Sequence, residues 1–269
     1  MPLLMNEEHT FLYTYENIPP TVTLSSYTTG MEQLRVSSDN LNKVMINSIL
    51  PQVIEPKIPI KELYEPDFFL LLRHLRILTW GPFYTTGAWY CQDCINDDGL
   101  KGKLVFNDKQ INLAEIPVIR PDNDDELKTK ITLTPDDFIF LDATVDMHLN
   151  KCKDILLYDI KLPKDRQDLV PIAASISHVS GMDFVDIREV VDWLYNLSPA
   201  DADTIKFAYK DAFSIGLSSK YNFTCPECGG RALCSVPVND AYFRPSRSDL
   251  QEWKKLLRAQ KTNVQSNKQ

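Results

Sequence analysis

The chain contains little glycine and no long apolar segment. Its 269 residues include 9 glycines and 17 prolines, a balance that favours loops with stiff turns over flexible ones. No apolar run approaches the roughly 18 residues that a membrane-spanning helix requires. The longest candidate, residues 68–78, is interrupted by charged or polar side chains, and the first ten residues lack the basic-then-apolar layout of a secretory signal. We therefore expect a soluble, cytosolic protein.

The chain also has fewer basic than acidic residues. The chain has 29 lysines and arginines against 37 aspartates and glutamates, which gives a formal net charge of −8. A protein whose main task is to bind nucleic acid usually presents a basic stripe, and none occurs before the last two dozen residues. Apolar residues reach 43%, enough for a sizeable core. The composition therefore favours a globular protein with protein partners.

Catalytic motifs are missing from the sequence. It has no G-x-S-x-G, no phosphate-binding loop and no H-x-E of the nucleobase deaminases. We expect His74 at the edge of a helix and His178 as a hydrogen-bonded structural residue in a turn. Residues 122–126 and 136–137 lack the spacing of a calcium loop and are expected to be solvated. We predict that the protein is not an enzyme, although a hydrolase that pairs His178 with a nearby carboxylate is an alternative.

The strongest signal comes from four of the six cysteines, which form two C-x-x-C pairs. Cys91 and Cys94 follow Trp-Tyr, while Cys225 and Cys228 lie in Phe-Thr-Cys-Pro-Glu-Cys-Gly-Gly. Two intervening residues let a tight turn direct both sulfurs at one point, and two such turns supply the tetrahedral thiolate set of a structural zinc site. Since four cysteines close the coordination shell, we predict one structural Zn²⁺ per chain.

The separation of the pairs is the weak point of this prediction. About 130 residues lie between them, whereas zinc ribbons commonly separate their pairs by roughly 12–20 residues. The two turns would have to meet through the fold. Ordinary buried thiols are the alternative, and a redox C-x-x-C is a further one. Cys152 and Cys234 are expected to be small core residues, with Cys234 as a possible spare ligand.

Apolar spacing and turn residues indicate a mixture of helices and strands. Helices are predicted over residues 38–50, within 58–80, after the Asp186 and Ser198 caps, and from a Ser248 cap to a disordered tail at Lys261. Strands are predicted over residues 21–24, 103–107, 110–119, 130–133, 220–224 and 231–238, with a hairpin turn over residues 96–99. The fold class is therefore α+β and helix-rich, with a zinc-ribbon-like knuckle built from the two distant C-x-x-C turns. We divide the chain into an extended or mixed region (1–60), a zinc-binding core (61–246) and a C-terminal helix with its tail (247–269).

The run LYEPDFFLLLRHLRILTWGPFYTTGAWYCQDC, residues 63–94, resembles the T4-type bacteriophage baseplate hub family. In that family a helix with the pattern D-x-x-x-x-L-x-x-L-R-x-x-x-x-G-x-x-Y leads into a C-x-x-C pair. The matching positions here are Asp67, Leu72, Leu75, Arg76, Gly81 and Tyr84.

Later segments resemble the same family. Residues 176–181 are similar to its I-x-x-V-x-G segment. Leu197, Asp201 and Ile205 are similar to its L-x-x-x-D-x-x-x-I helix. C-P-E-C-G follows, and Tyr-Phe-Arg-Pro at residues 242–245 is similar to the family's F-F-R-P ending.

The resemblance covers most of residues 40–246, and the order and spacing of its pieces are its specific feature. It implies a phage-encoded protein that joins the hub of a contractile-tail baseplate or helps to assemble it. Such a protein would be found in the virion and, during assembly, in the host cytoplasm. Its partners would be other baseplate hub, tail tube or tape-measure proteins, with no nucleic acid and no membrane. The alternative is a zinc-ribbon adaptor that acts on nucleic acid or transcription, which the acidic balance disfavours.

Overall fold

The computed structural model describes residues 5–95, 99, 101–106, 109–120, 127–218, 220–236, 238 and 240–266. The predicted hairpin turn over residues 96–99, apart from Gly99, and the predicted acidic loop over residues 122–126 lie outside the described residues.

Helices and strands occur in runs along the chain. The helices are α1 (Thr29–Val36), α2 (Leu41–Val44), α3 (Leu50–Val53), α4 (Glu65–Trp80), α5 (Cys152–Ile155), α6 (Lys164–Gln167), α7 (Val170–Ser175), α8 (Ile187–Asn196), α9 (Pro199–Ala212) and α10 (Arg247–Ser266). A π-helical segment, Met45–Ile49, joins α2 to α3, and short 3₁₀ turns occur at Ile60–Glu62, Leu113–Glu115, Pro135–Asp137, Leu156–Asp159 and Asp240–Phe243.

The described strands form five small antiparallel sheets. They are β1 (Asn6–Thr10), β2 (Thr21–Ser25), β3 (Ile54–Glu55), β4 (Phe83–Thr85), β5 (Trp89–Ile95), β6 (Lys101–Phe106), β7 (Gln110–Asn112), β8 (Val118–Ile119), β9 (Lys130–Leu133), β10 (Val145–His148), β11 (Ile176–Val179), β12 (Gly216–Leu217), β13 (Lys220–Thr224) and β14 (Arg231–Ser235). The sheet orders are β1-β2-β3, β11-β10-β9, β12-β8, β13-β14-β5-β6 and β4-β7. Helix accounts for 44% and strand for 23% of the structure. The α+β prediction is therefore confirmed, but the helix-rich description is not.

The larger hydrophobic core surrounds α4. Pro66 lies in the first turn of this helix, and Gly81 ends it with a φ of 84°, as the sequence predicts. The apolar positions 68, 71, 72, 75 and 78 recur at helical spacing and are all buried. Val22 and Leu24 belong to the same core, so β2 packs with the segment that precedes the first cysteine pair. The three-part division of the chain stays a prediction.

A second core lies within the segment that separates the two cysteine pairs. It contains buried residues from β10, α7, β11, α8 and α9, including Val145, Val179, Val191 and Ile205. Helix α8 begins where the sequence predicts, because the Asp186 carboxylate accepts hydrogen bonds from the N–H groups of Arg188 and Glu189. Part of the long segment therefore folds around apolar residues of its own, while Ile111, Leu113 and Ile155 of the same segment belong to the larger core.

The structure corrects three details. The strand predicted over residues 110–119 is split into β7 and β8 by a 3₁₀ turn. Helix α10 is capped by Ser246 rather than Ser248, since the Ser246 hydroxyl accepts from the Asp249 N–H while the Asp249 carboxylate accepts from the Ser246 N–H. The same helix continues to Ser266, beyond the predicted boundary at Lys261. None of the described helices combines the length and apolar character that crossing a bilayer requires.

Candidate metal centre

The two cysteine pairs lie in one four-stranded sheet. Strands β5 and β6 form one antiparallel ladder, and β13 and β14 form the other. The two ladders join because β14 pairs with β5, which sets Ala232 opposite Cys91. Strands that are more than 130 positions apart in sequence thus bring both C-x-x-C turns to the same place.

The four sulfurs form a compact group. The Sγ atoms of Cys91 and Cys228 are 3.6 Å apart, and those of Cys94 and Cys225 are 3.7 Å apart. All four lie within 4.8 Å of one another. A zinc ion with sulfur ligands at about 2.3 Å requires edges of about 3.8 Å in a regular tetrahedron. A disulfide needs about 2.05 Å, so the thiols are free, and the cluster could bind a metal ion.

The second turn directs backbone N–H groups at its sulfurs. Cys225 N–H donates to the Gly230 carbonyl at 2.7 Å, and Gly229 N–H donates to the Cys225 carbonyl at 2.9 Å. Gly230 N–H donates to the Cys228 sulfur at 3.3 Å. Gly229 adopts a φ of 72°, a conformation that glycine adopts without steric cost. This tight turn explains why two glycines follow the second cysteine.

The thiols experience opposing influences on their acidity. Burial of Cys225 opposes ionisation, but N–H groups of Cys228 and Glu227 donate to its sulfur, and the net effect lowers its pKa to about 7. Hydrogen bonding with the Cys228 thiol, together with burial, raises the pKa of Cys94. One thiol of the group is therefore ready to ionise near neutral pH, which a metal-binding cysteine must do.

Neighbouring side chains hold the two turns against each other. Lys103 of β6 forms an ion pair with Glu227 of the second turn at 2.7 Å. Gly230 lies so close to Asp93 of the first turn that an added Cβ would come within 2.2 Å of the carboxylate. Sequence reasoning missed the roles of these residues, because no local pattern indicates that the first turn packs on the second.

An aromatic cluster lies beneath the sheet. The Trp89 ring is fully buried and meets Phe223 edge-on at 5.5 Å. Its indole N–H donates to the Thr86 hydroxyl. The aromatic residues that precede each cysteine pair therefore contact one another, and this contact supplies apolar packing at the point where the two ladders join.

Cys152, His74 and His178 lie outside the cluster. Cys152 is buried in α5, and burial raises the pKa of its thiol well above the usual value, in agreement with the predicted core role. Cys234 lies in β14 opposite Tyr221. Nε2 of His74 lies within hydrogen-bond distance of a Glu7 carboxylate oxygen, at 2.8 Å. His178 is exposed beside a groove, and no carboxylate within the described residues hydrogen-bonds to it.

Comparison with protein-family models, with curated proteins and with solved structures finds no match to this chain.

Proposed function

We propose that the chain is a structural or assembly protein of a contractile-tail baseplate hub that acts through protein–protein contacts. The resemblance described above is one support. A second support is that two of the segments that carry the resemblance contact each other in the structure. The guanidinium of Arg76, which is fully buried, donates to the carbonyl oxygens of Tyr242, Gly81 and Phe83 at 2.8, 2.6 and 2.9 Å. Arg76 therefore joins the helix motif to the Tyr-Phe-Arg-Pro ending, 166 positions away.

The observation that carries the proposal is a pair of exposed apolar side chains in a loop whose backbone is held by hydrogen bonds. Ile139 and Phe140 are 70% and 75% exposed, although their backbone N–H groups both donate to the Asp201 carboxylate, at 2.8 and 3.2 Å. Burial opposes ionisation of Asp201, but these hydrogen bonds and that of the Ser198 hydroxyl lower its pKa. Neighbouring exposed apolar side chains on a constrained backbone suit a contact with another protein.

Zinc is the proposed metal. Four thiolates close a tetrahedral shell, which is typical of structural rather than catalytic zinc. The distances between the sulfurs and the N–H groups that face them suit this ion. The role of the metal here would be to hold the two ladders together. We therefore expect the protein to be unstable without it.

Metal analysis tests the zinc proposal. Mass spectrometry of purified protein should give one zinc per chain. Replacement by Co²⁺ should give the absorption bands of tetrahedral thiolate coordination. Cys225→Ser, alone or with Cys228→Ser, should yield largely insoluble protein, while Cys152→Ala should keep the zinc. Freshly reduced protein without zinc, or normal expression and melting of Cys225→Ser, would overturn this part of the proposal.

The hub role is tested in a contractile-tailed phage that encodes the chain. An amber codon in its gene should leave filled heads without complete baseplates, as seen by electron microscopy. The double variant Ile139→Ser/Phe140→Ser should keep its zinc and its melting temperature yet fail to complement the amber phage. Phe207→Ser is the matched control, because Phe207 is 60% exposed on α9. Normal tails without the protein would refute the role.

The nucleic-acid alternative has its own test. An adaptor of that class would retard DNA or RNA in a gel, and retardation would weaken steeply as salt increases. With a formal net charge of −8, we expect no retardation at physiological salt. A salt-sensitive shift that requires the intact cysteine cluster would replace the hub proposal with the adaptor.

A further inference from the structure

A cavity of about 340 Å³ is lined by residues other than the four clustered cysteines. It opens between the first turn of α4, the last turn of α9, strand β12 and the residues that follow β14. Its walls are mainly apolar, and they include Phe69, Leu149, Phe213, Leu217, Val236 and Val238. A concave apolar site of this size with few polar groups is typical of a small-molecule pocket.

Glu65 lines the cavity together with Tyr209 and Ser218, and among the described lining residues it is the one that carries a carboxyl group. Its Oε2 atom accepts from the hydroxyls of Tyr158 and Tyr209, at 3.2 and 3.5 Å. The side-chain amide of Asn150 in turn donates to both tyrosine oxygens, at 2.6 and 3.0 Å. The same amide nitrogen also lies 2.9 Å from the Pro171 carbonyl oxygen, so its two hydrogens are shared among three acceptors. The tyrosine hydroxyls are therefore the hydrogen-bond donors that face this carboxyl group.

No positive charge completes this arrangement within the described residues. Glu65 contacts tyrosine hydroxyls, and no lysine, arginine or histidine lies within ion-pair distance of it. Burial raises its pKa to about 7, against hydrogen bonds from Tyr158, Tyr209 and Asn150 that lower it. The other titratable groups around it are Asp154, which raises its pKa further, and the buried Cys152 thiol. Among the residues that the structure describes, the carboxyl group therefore has no cationic partner.

Aromatic rings line the same cavity. Phe69, Tyr209 and Phe213 all contribute to its walls, and the rings of Tyr209 and Phe213 meet edge-on at 5.0 Å. Aromatic faces attract organic cations, and the attraction grows when the cation leaves water. A carboxylate and aromatic walls in one apolar pocket provide complementary contacts for an alkylammonium head and its hydrocarbon body.

We propose that this cavity binds a small organic ammonium compound with an apolar body, whose charged head pairs with Glu65. The proposal is independent of the zinc site and of the hub role. It makes a specific prediction about charge. A neutral molecule of the same shape fills the apolar walls equally well but leaves the carboxylate without its counter-ion.

Paired probes test this difference. Phenethylamine and 2-phenylethanol have the same apolar body, and only the amine is cationic at neutral pH. Titration of the full-length protein, followed by calorimetry at pH 8, should give at least about tenfold tighter binding of the amine, the value of one charge-assisted contact. Below a pH of about 7, where Glu65 becomes protonated, the amine affinity should fall toward that of the alcohol, while the affinity for the alcohol stays constant.

Two variants identify the group responsible. Glu65→Gln keeps the shape of the side chain and should abolish the preference for the amine. Glu16→Gln removes the same charge from an exposed position and should leave the preference unchanged. If Glu65→Gln fails to fold, Tyr209→Phe and the pH dependence of wild-type protein provide the same test. Equal affinity for both probes, no binding of either, or a preference that survives in Glu65→Gln would overturn the proposal.

Discussion

Removal of the proposed zinc is expected to destabilise the larger core by an amount that depends on the length of the loop between its ligands. Cys94 and Cys225 are 131 positions apart, so a metal that holds both closes a loop of that length in the unfolded chain. The entropy of such a cross-link corresponds to about 5 kcal/mol at 25 °C. The free energy of unfolding of a whole domain is commonly about 5–15 kcal/mol. Loss of the metal should therefore remove at least a third of the stability.

Urea unfolding measures this contribution. Because Cys225→Ser is expected to be insoluble, wild-type protein is compared before and after a strong zinc chelator, under reducing conditions and with circular dichroism as the signal. The chelated protein should lose about 5 kcal/mol or unfold without urea, and added zinc should restore it. Cys152→Ala, which leaves the cluster intact, should show the same response to the chelator. Metal-free protein with an unchanged unfolding midpoint would refute the reasoning.

Three other perturbations follow from the structure. Arg76→Met should lower the free energy of unfolding by about 3–5 kcal/mol in urea titrations, because it leaves buried carbonyl oxygens, including that of Tyr242, without their donor; a loss below about 1 kcal/mol would contradict this. Gly81→Ala should displace α10, since an added Cβ would lie 2.4 Å from the Trp253 ring; faster proteolysis of α10 would show it, and unchanged protection would count against it. The raised folded-state pKa of Glu65, about 7 against 4.5, stabilises the protein fully below pH 4.5, and this stability is lost as the pH rises through 7. Wild-type protein should therefore lose up to about 3 kcal/mol over this interval relative to Glu65→Gln, and parallel stability curves for the two proteins would exclude the effect.

Much of the local structure is predictable from the sequence because short-range chemistry determines it. The apolar period and Pro66 predict α4, and Gly81 ends it with a positive φ. Asp186 caps α8 as the capping pattern predicts. The C-x-x-C spacing and the paired glycines predict a turn that directs sulfurs to one point. In each case the residues that make the pattern are also the residues that contact one another.

Features that depend on distant residues are not predictable in this way. No local signal indicates that β14 pairs with β5 or that Gly230 packs on Asp93. In the sequence, Glu65 looks like any acidic residue in the first turn of a helix. Its burial is not predictable, because its tyrosine partners are about 90 and 140 positions away. The Ser248 cap prediction is wrong for a related reason. Asp249 also accepts hydrogen bonds from Thr85 and Gln110, and these tertiary contacts favour the start of α10 at Ser246.

The folded segment between the two cysteine pairs explains how such distant turns can share a metal. The second core draws its residues from between Ile131 and Tyr209, and we predict that they stay together when the larger core opens. The loop that the metal must then close shrinks to about 50 residues, and the entropic contribution falls only to about 4 kcal/mol, because it depends on the logarithm of loop length. A long insertion that folds on its own apolar residues therefore costs a zinc ribbon little. The separation that makes the two pairs look unrelated in sequence is compatible with one metal centre.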